Sequence, residues 1–153
     1  MALDSRNTLR IAVGLVLTAG LFGSAGCEDQ ATRFNNAGLT AYYAGRHQEA
    51  LAAFEEALKD RTYPSPEKIL YNLGTLHLEA KRYPEALDAF QRAVAANTNY
   101  AKGYYGLGLI YAETGKGEDA RTNFRKVIAL EPKSPEAGKA REYLAQKAAP
   151  TKG

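Results

Sequence analysis

One residue pattern recurs three times through the middle of this chain, and a repeat decides an architecture before any helix or strand is assigned. Units begun at Ala31, Glu67 and Ala101 bring Gly38, Gly74 and Gly108 into one column. Ala50, Ala86 and Ala120 form a second column, and Phe54, Phe90 and Phe124 a third. Neighbouring columns agree in kind: Glu49, Glu85 and Asp119 before the Ala, Ala57, Ala93 and Val127 after the Phe, and Phe34, Leu70 and Tyr104 near each start. The units are spaced by 36 and then 34 residues, and the excess falls between Asp60 and Glu67, where Tyr63-Pro64-Ser65-Pro66 reads as a loop.

Inside a unit the period is helical. Leu70, Leu73, Gly74 and His77 fall at i, i+3, i+4 and i+7, and Ala86, Phe90, Ala93 and Val94 resume the stripe after a break at Ala80-Lys81-Arg82. Each unit is therefore expected to be a helix hairpin, an A helix followed by a B helix. A Gly inside a helix costs about 1 kcal/mol relative to Ala, so three of them in one column imply that a neighbour presses close there. Gly on helix A and Ala on helix B let the backbones approach while Phe fills the adjoining gap.

These columns resemble the tetratricopeptide repeat, a helix-turn-helix unit of about 34 residues. The third unit matches best, with Tyr104, Leu107-Gly108, Tyr111, Gly115, Ala120, Phe124, Val127 and Glu131-Pro132. The second keeps Leu70, Leu73-Gly74, Ala86, Phe90 and Ala93 but has His77 where Tyr is usual and Thr98 where Pro is usual; the first has Ala37 and Ala41 in place of Leu and Tyr. The resemblance implies an all-α, right-handed α-solenoid of three hairpins over residues 31–134, divided at 31–66, 67–100 and 101–134. Ser134-Pro135-Glu136 then reads as a cap residue with Pro at the first helical position, so residues 135–147 are expected to form a capping helix that covers the last hairpin. The tail 148–153 is expected to be disordered.

The 153 residues contain one cysteine, Cys27, at the end of a segment in three parts. Arg6 and Arg10 make a basic start, Ile11 to Phe22 is an uncharged apolar run, and Gly23-Ser24-Ala25-Gly26 is small throughout. Residues 1–26 thus read as an export signal, and the run is shorter than the roughly 20 apolar residues of a permanent span. Small residues followed at once by Cys look like the bacterial lipobox, which implies cleavage before Cys27, a diacylglycerol on its thiol and a short linker over 27–30. Ser24 occupies the place usually held by an aliphatic residue, so cleavage without lipidation, leaving a periplasmic protein with a free thiol, stays open. Glu28 after the Cys, by resemblance to the enterobacterial sorting rule, favours the outer membrane of the bacterial envelope.

Catalytic chemistry finds no seat. One Cys and two His, His47 and His77, exclude a Cys/His metal cage, and no metal or other cofactor is expected. Ser65 and Ser134 both precede Pro in turns, His77 falls on the packed stripe, and the carboxylate pairs Glu55-Glu56 and Glu118-Asp119 read as solvated helix faces. Gly106-Leu107-Gly108 has no preceding strand, and Gly115-Lys116-Gly117 lacks the rest of a phosphate loop. A net charge of +3 with no basic run longer than two residues argues against nucleic acid. No small-molecule substrate is expected.

Function is therefore expected on the surface, and the family resemblance places peptide binding on the concave face lined by the A helices. The outward columns there are Asn35, Asn36, Leu39, Tyr42 and Tyr43; Lys68, Tyr71, Asn72, Thr75, Leu78 and Glu79; and Lys102, Tyr105, Leu109 and Glu113. Tyrosines can stack on apolar anchors and Asn amides can bond a peptide backbone, although Tyr42, Tyr104 and Tyr105 could equally pack the superhelix. A repeat subclass grips a terminal carboxylate with five residues. Asn72 and Lys102 match that clamp, whereas Asn35, Leu39 and Gly106 do not. The implied function is a membrane-anchored adaptor for a protein segment of the envelope, similar to type IV pilus pilotins or to lipoprotein scaffolds of murein enzymes. The alternative is a soluble periplasmic accessory subunit of an enzyme complex, such as those of cytochrome c maturation.

Overall fold

The computed structural model describes residues 29–148. The signal at 1–26, Cys27 and all but the first residue of the expected tail lie outside them. Among the described residues there are seven helices and no strand: α1 (Gln30–Tyr43), α2 (His47–Ala57), α3 (Pro66–Glu79), α4 (Tyr83–Ala96), α5 (Ala101–Glu113), α6 (Gly117–Leu130) and α7 (Pro135–Ala148). The three hairpins are α1/α2, α3/α4 and α5/α6, each followed by a helix that packs on it, with α7 against α6 and α5. This is the α-solenoid the repeat pattern implies. No described helix is long and apolar enough to cross a membrane.

Local chemistry sets the helix limits. α1 begins inside the expected linker because the Asp29 carboxylate accepts the Thr32 backbone N–H at 2.7 Å, a side-chain N-cap. Ser134 caps α7 in the same way, its Oγ accepting the Ala137 N–H at 3.1 Å, with Pro135 at the first helical position. α7 ends at Ala148, one residue beyond the expected cap.

All three hairpin turns have one geometry. The A helices end with bonds from Arg46 N to Ala41 O, Arg82 N to His77 O and Lys116 N to Tyr111 O, each 2.8 Å, which is the six-to-one closure of a Schellman motif. That closure needs a left-handed residue at its centre, supplied by Gly45 (φ 72°), Lys81 (φ 56°) and Gly115 (φ 77°). Gly115, part of the glycine triplet that resembled a phosphate loop, is thus a turn residue, and Lys81 holds the same conformation with a Cβ attached.

The core runs as a line along the stack. Phe54, Phe90 and Phe124 are at most 1% exposed, and Ala50, Ala86 and Ala120 are fully buried beneath them. The glycine column meets the phenylalanine column face on. A Cβ added to Gly38, Gly74 or Gly108 would lie 2.6, 2.7 or 2.6 Å from the ring of Phe54, Phe90 or Phe124, inside the 3.5–4.0 Å or so of ordinary carbon contact. Gly106 repeats this across a repeat boundary, where a Cβ would come within 2.5 Å of Phe90. Phe90 is therefore wedged between Gly74 of its own hairpin and Gly106 of the next. Two positions before the glycine column of each following unit stand Asn72, Gly106 and Ala140. Ala140 of α7, fully buried, closes over Phe124 together with Tyr143, whose ring centroid is 4.7 Å away.

Candidate functional site

α1, α3 and α5 are the A helices, and α3 packs directly on α5. Their inner sides are consumed by the core, with Leu70, Leu73, Leu76 and His77 of α3 and Leu107 and Ile110 of α5 all buried. What remains on the shared outer face is half-buried or exposed: Lys68, Tyr71, Asn72, Thr75, Leu78 and Glu79 from α3, and Lys102, Tyr105, Leu109 and Glu113 from α5. The two helices thus bring together every residue expected of units two and three.

The tyrosines pack the superhelix while staying half-buried. The Tyr71 ring leans on Phe90 (centroids 5.7 Å apart) and meets Tyr100 edge-on at 6.0 Å, while Tyr105 leans on Phe124 at 5.8 Å. Burial pushes the Tyr71, Tyr100 and Tyr105 hydroxyls above the ordinary phenol range, so all three stay neutral donors. Rings held on one side by a rigid core present their other edge at little entropic cost. Tyr100 was absent from the expected set because it lies in the loop just before α5, outside the helical period.

Unit one contributes less. Asn36 is exposed, but the Asn35 Oδ1 is buried without a hydrogen-bond partner, and Leu39 and Tyr42 pack against the first core cluster. The Tyr42 hydroxyl donates to Glu79 Oε1 of α3 at 2.5 Å, tying the first hairpin to the second, and this bond is the chief reason its pKa is pushed up to about 12. Glu79 Oε2 also stands 3.9 Å from His47 Nδ1.

Two hollows mark the surface. One of about 280 Å³ is the lower end of the A-helix face, lined by Leu78, Glu79, Lys81, Tyr83, Leu109 and Glu113. The other, about 600 Å³, lies where α2, α3 and α4 meet and includes Glu55, Leu73, His77, Glu85 and Asp88. His77 is 9% exposed with Nδ1 unpartnered, and burial first, then Arg82, lowers its pKa. It is buried on the stripe and lines this hollow beside Leu58 and Leu73. No group of three His, Cys, Asp or Glu among the described residues could hold a metal ion. At the clamp positions, Lys102 is engaged 3.9 Å from Glu136 of α7, and Gly106 is spent on Phe90.

Two family models, both described as tetratricopeptide repeat, match residues 35–101 and 77–144. Photosystem I assembly protein Ycf3 of Prochlorococcus marinus (strain MIT 9303) is 35% identical over 80 residues, 52% of this chain and 46% of that protein. Type IV pilus assembly protein PilF of Pseudomonas aeruginosa is 32% identical over 65 residues, 42% of this chain and 26% of that protein. The chain spans less than half the length of the curated relatives it matches. Among solved structures, PcrH from Pseudomonas aeruginosa aligns with a TM-score of 0.71 at 21% identity, covering 86% of this chain and 99% of that one. The first repeat domain of Spaghetti (RPAP3), bound to the HSP90 peptide SRMEEVD, aligns at 0.69 and 21%, covering 78% and 97%. At these identities the structural likeness is one of fold.

Proposed function

Because the chain belongs to the tetratricopeptide repeat family through residues 35–144, we propose that it is a non-catalytic adaptor that holds a segment of a protein partner on the A-helix face of α3 and α5. The observation that carries this reading is the division of labour on that face. Tyr71 and Tyr105 are anchored from behind by Phe90 and Phe124, while Asn72, Thr75 and Leu109 remain half-exposed between them. Preorganised aromatic and amide groups of this kind are what a recognition surface requires, since ordering them at the moment of binding costs little. The solved relative with a bound HSP90 peptide supports a peptide as the class of ligand.

The adaptor is tethered to the bacterial envelope through an acylated Cys27 and faces the periplasm from the outer membrane, where it assists assembly of an envelope complex. Small residues ahead of Cys27 and the apolar run before them support the tether. The name of the pilus assembly relative supports the kind of partner. Crosslinking in envelopes tests the face: a partner captured by the native chain should be lost from a Tyr71→Ala, Asn72→Ala, Tyr105→Ala variant that still folds, and equal capture by both would refute the groove. Intact mass of the native protein tests the tether, which a free Cys27 thiol in a soluble fraction would refute.

A further inference from the structure

The A-helix face has an electrical axis. Lys68 lies in the first turn of α3 and Glu79 at its end; Lys102 lies in the first turn of α5 and Glu113 at its end. Both Lys-to-Glu separations are eleven residues, about three helical turns, so each pair shares one face of its helix with roughly 16 Å between the two Cα atoms. All four side chains are exposed. The helix dipoles point the same way, positive at the Lys ends and negative at the Glu ends. Since α3 packs directly on α5, the two pairs stand side by side as two rungs with one basic edge and one acidic edge. Unit one has Thr32 and Tyr43 at the corresponding places, and α7 reverses the order with Glu136 and Lys147. Glu136 partly neutralises Lys102 at 3.9 Å, and Lys81 lies in the acidic hollow beside Glu79 and Glu113. Glu79 Oε1 also accepts the Tyr42 hydroxyl.

Between the edges lie Tyr71, Asn72, Thr75 and Leu109. Asn72 makes no hydrogen bond to any described residue, and its amide can bond a main-chain N–H and C=O only where these are not already paired inside a helix. That favours an extended ligand. In an extended chain successive side chains point to opposite sides, and residues two apart are about 6.6 Å apart, close to the roughly 8–10 Å between packed helices. A strand laid across α3 and α5 therefore sends alternate side chains to alternate edges.

Building on the groove reading above, we infer that the site selects an extended segment of four residues with alternating charge, its acidic side chains reaching Lys68 and Lys102 and its basic side chains reaching Glu79 and Glu113. Leu78, Tyr83 and Leu109 in the acidic hollow suit the aliphatic stem of a Lys or Arg, whose head then meets a carboxylate. Exposed ion pairs are individually weak, so their effect is choice and orientation of ligand more than affinity.

The test is selection of a random octapeptide library displayed on phage against the purified full chain, followed by titration of end-blocked synthetic peptides. The enriched sequences should alternate acidic and basic residues over four positions. A Glu-Lys-Glu-Lys core should bind roughly tenfold tighter than a Glu-Glu-Lys-Lys core of the same composition at low salt, and the gap should shrink as salt screens the rungs. A Lys68→Glu, Lys102→Glu variant, altered at exposed sites and checked by its melting curve, should instead enrich cores basic at all four positions. Peptides that lack alternation but lose binding in the Tyr71→Ala, Asn72→Ala variant would overturn this inference and leave the groove standing. Enriched peptides indifferent to those two substitutions, or no enrichment at all, would overturn both.

Discussion

Replacing Gly106 by Ala tests how the stack is held together, because one added methyl group must be placed where no atom fits. An ideal Cβ at that position lies 2.5 Å from Cδ1 and Cε1 of Phe90 and 2.7 Å from Cζ. Carbon contacts settle near 3.5–4.0 Å, so the ring or the α5 backbone must retreat by about 1 Å. Phe90 has little room to yield, since it is 1% exposed and the same ring edge lies against Gly74. Overpacking of this kind costs about 1–3 kcal/mol, against which Ala returns about 1 kcal/mol of helix propensity. Gly138 isolates the second effect: it lies inside α7 with nothing within 4 Å of its hypothetical Cβ, so Gly138→Ala should stabilise by up to about 1 kcal/mol. The two variants should therefore differ by about 1–3 kcal/mol. At roughly 4 °C per kcal/mol for a domain of this size, their midpoints in thermal unfolding followed by circular dichroism should lie about 4–12 °C apart. Adding Phe90→Leu to Gly106→Ala should recover part of the loss, with a coupling of about 0.5–3 kcal/mol. A Gly106→Ala protein that melts as high as Gly138→Ala would refute the wedge.

The left-handed column gives a paired expectation. Lys81→Gly should raise the midpoint by a few degrees, because a Cβ in that conformation costs about 1–2 kcal/mol and Gly gives back only part of this as unfolded-state entropy. Gly115→Ala should lower it although nothing crowds the site, and opposite signs in a melting curve would refute the turn argument. His77 sets a pH dependence. Its folded pKa is below the ordinary value of about 6.5, so as pH falls through that value the unfolded chain takes up the proton first; the stability His77 contributes is present above that pH and is lost below it. The decline of the midpoint from about pH 7 to pH 5 should be shallower in His77→Phe, and an unchanged slope would show that the imidazole is solvated.

The hairpins, their order and the helical faces were legible because identical residues at fixed spacing leave few other packings, and the Gly, Ala and Phe columns do touch as their sizes imply. The reasons for particular residues were less so. Gly106 shares a tripeptide with Gly108 and looked like part of a nucleotide motif, yet its neighbour Phe90 is on the preceding hairpin, a contact between helices that periodicity within one unit does not reveal. Aligning Asn72, Gly106 and Ala140 shows a small residue at two of three such places and hints at it afterwards. The break at Ala80-Lys81-Arg82 was visible, but its handedness needed Gly45 and Gly115 read in the same column. On the A-helix face Tyr71 and Tyr105 stand half-buried in the outward columns that their spacing implies. That each is braced by a Phe depends on ring geometry, which spacing alone does not carry. The charges at Lys68, Glu79, Lys102 and Glu113 were visible singly; their alignment into rungs follows only once α3 is seen to pack on α5.

The covering of each Phe by the helix that follows its hairpin gives the stack a direction in time. During synthesis Phe54 emerges before Ile69 and Leu73, Phe90 before Gly106, and Phe124 before Ala140 and Tyr143. A ribosome releasing this chain therefore always holds out a nascent hairpin with one aromatic ring half-covered, and only the next A helix seals it. A chain cut short after α4 would present Phe90 as a sticky end, shaped to receive a glycine-notched helix from another copy.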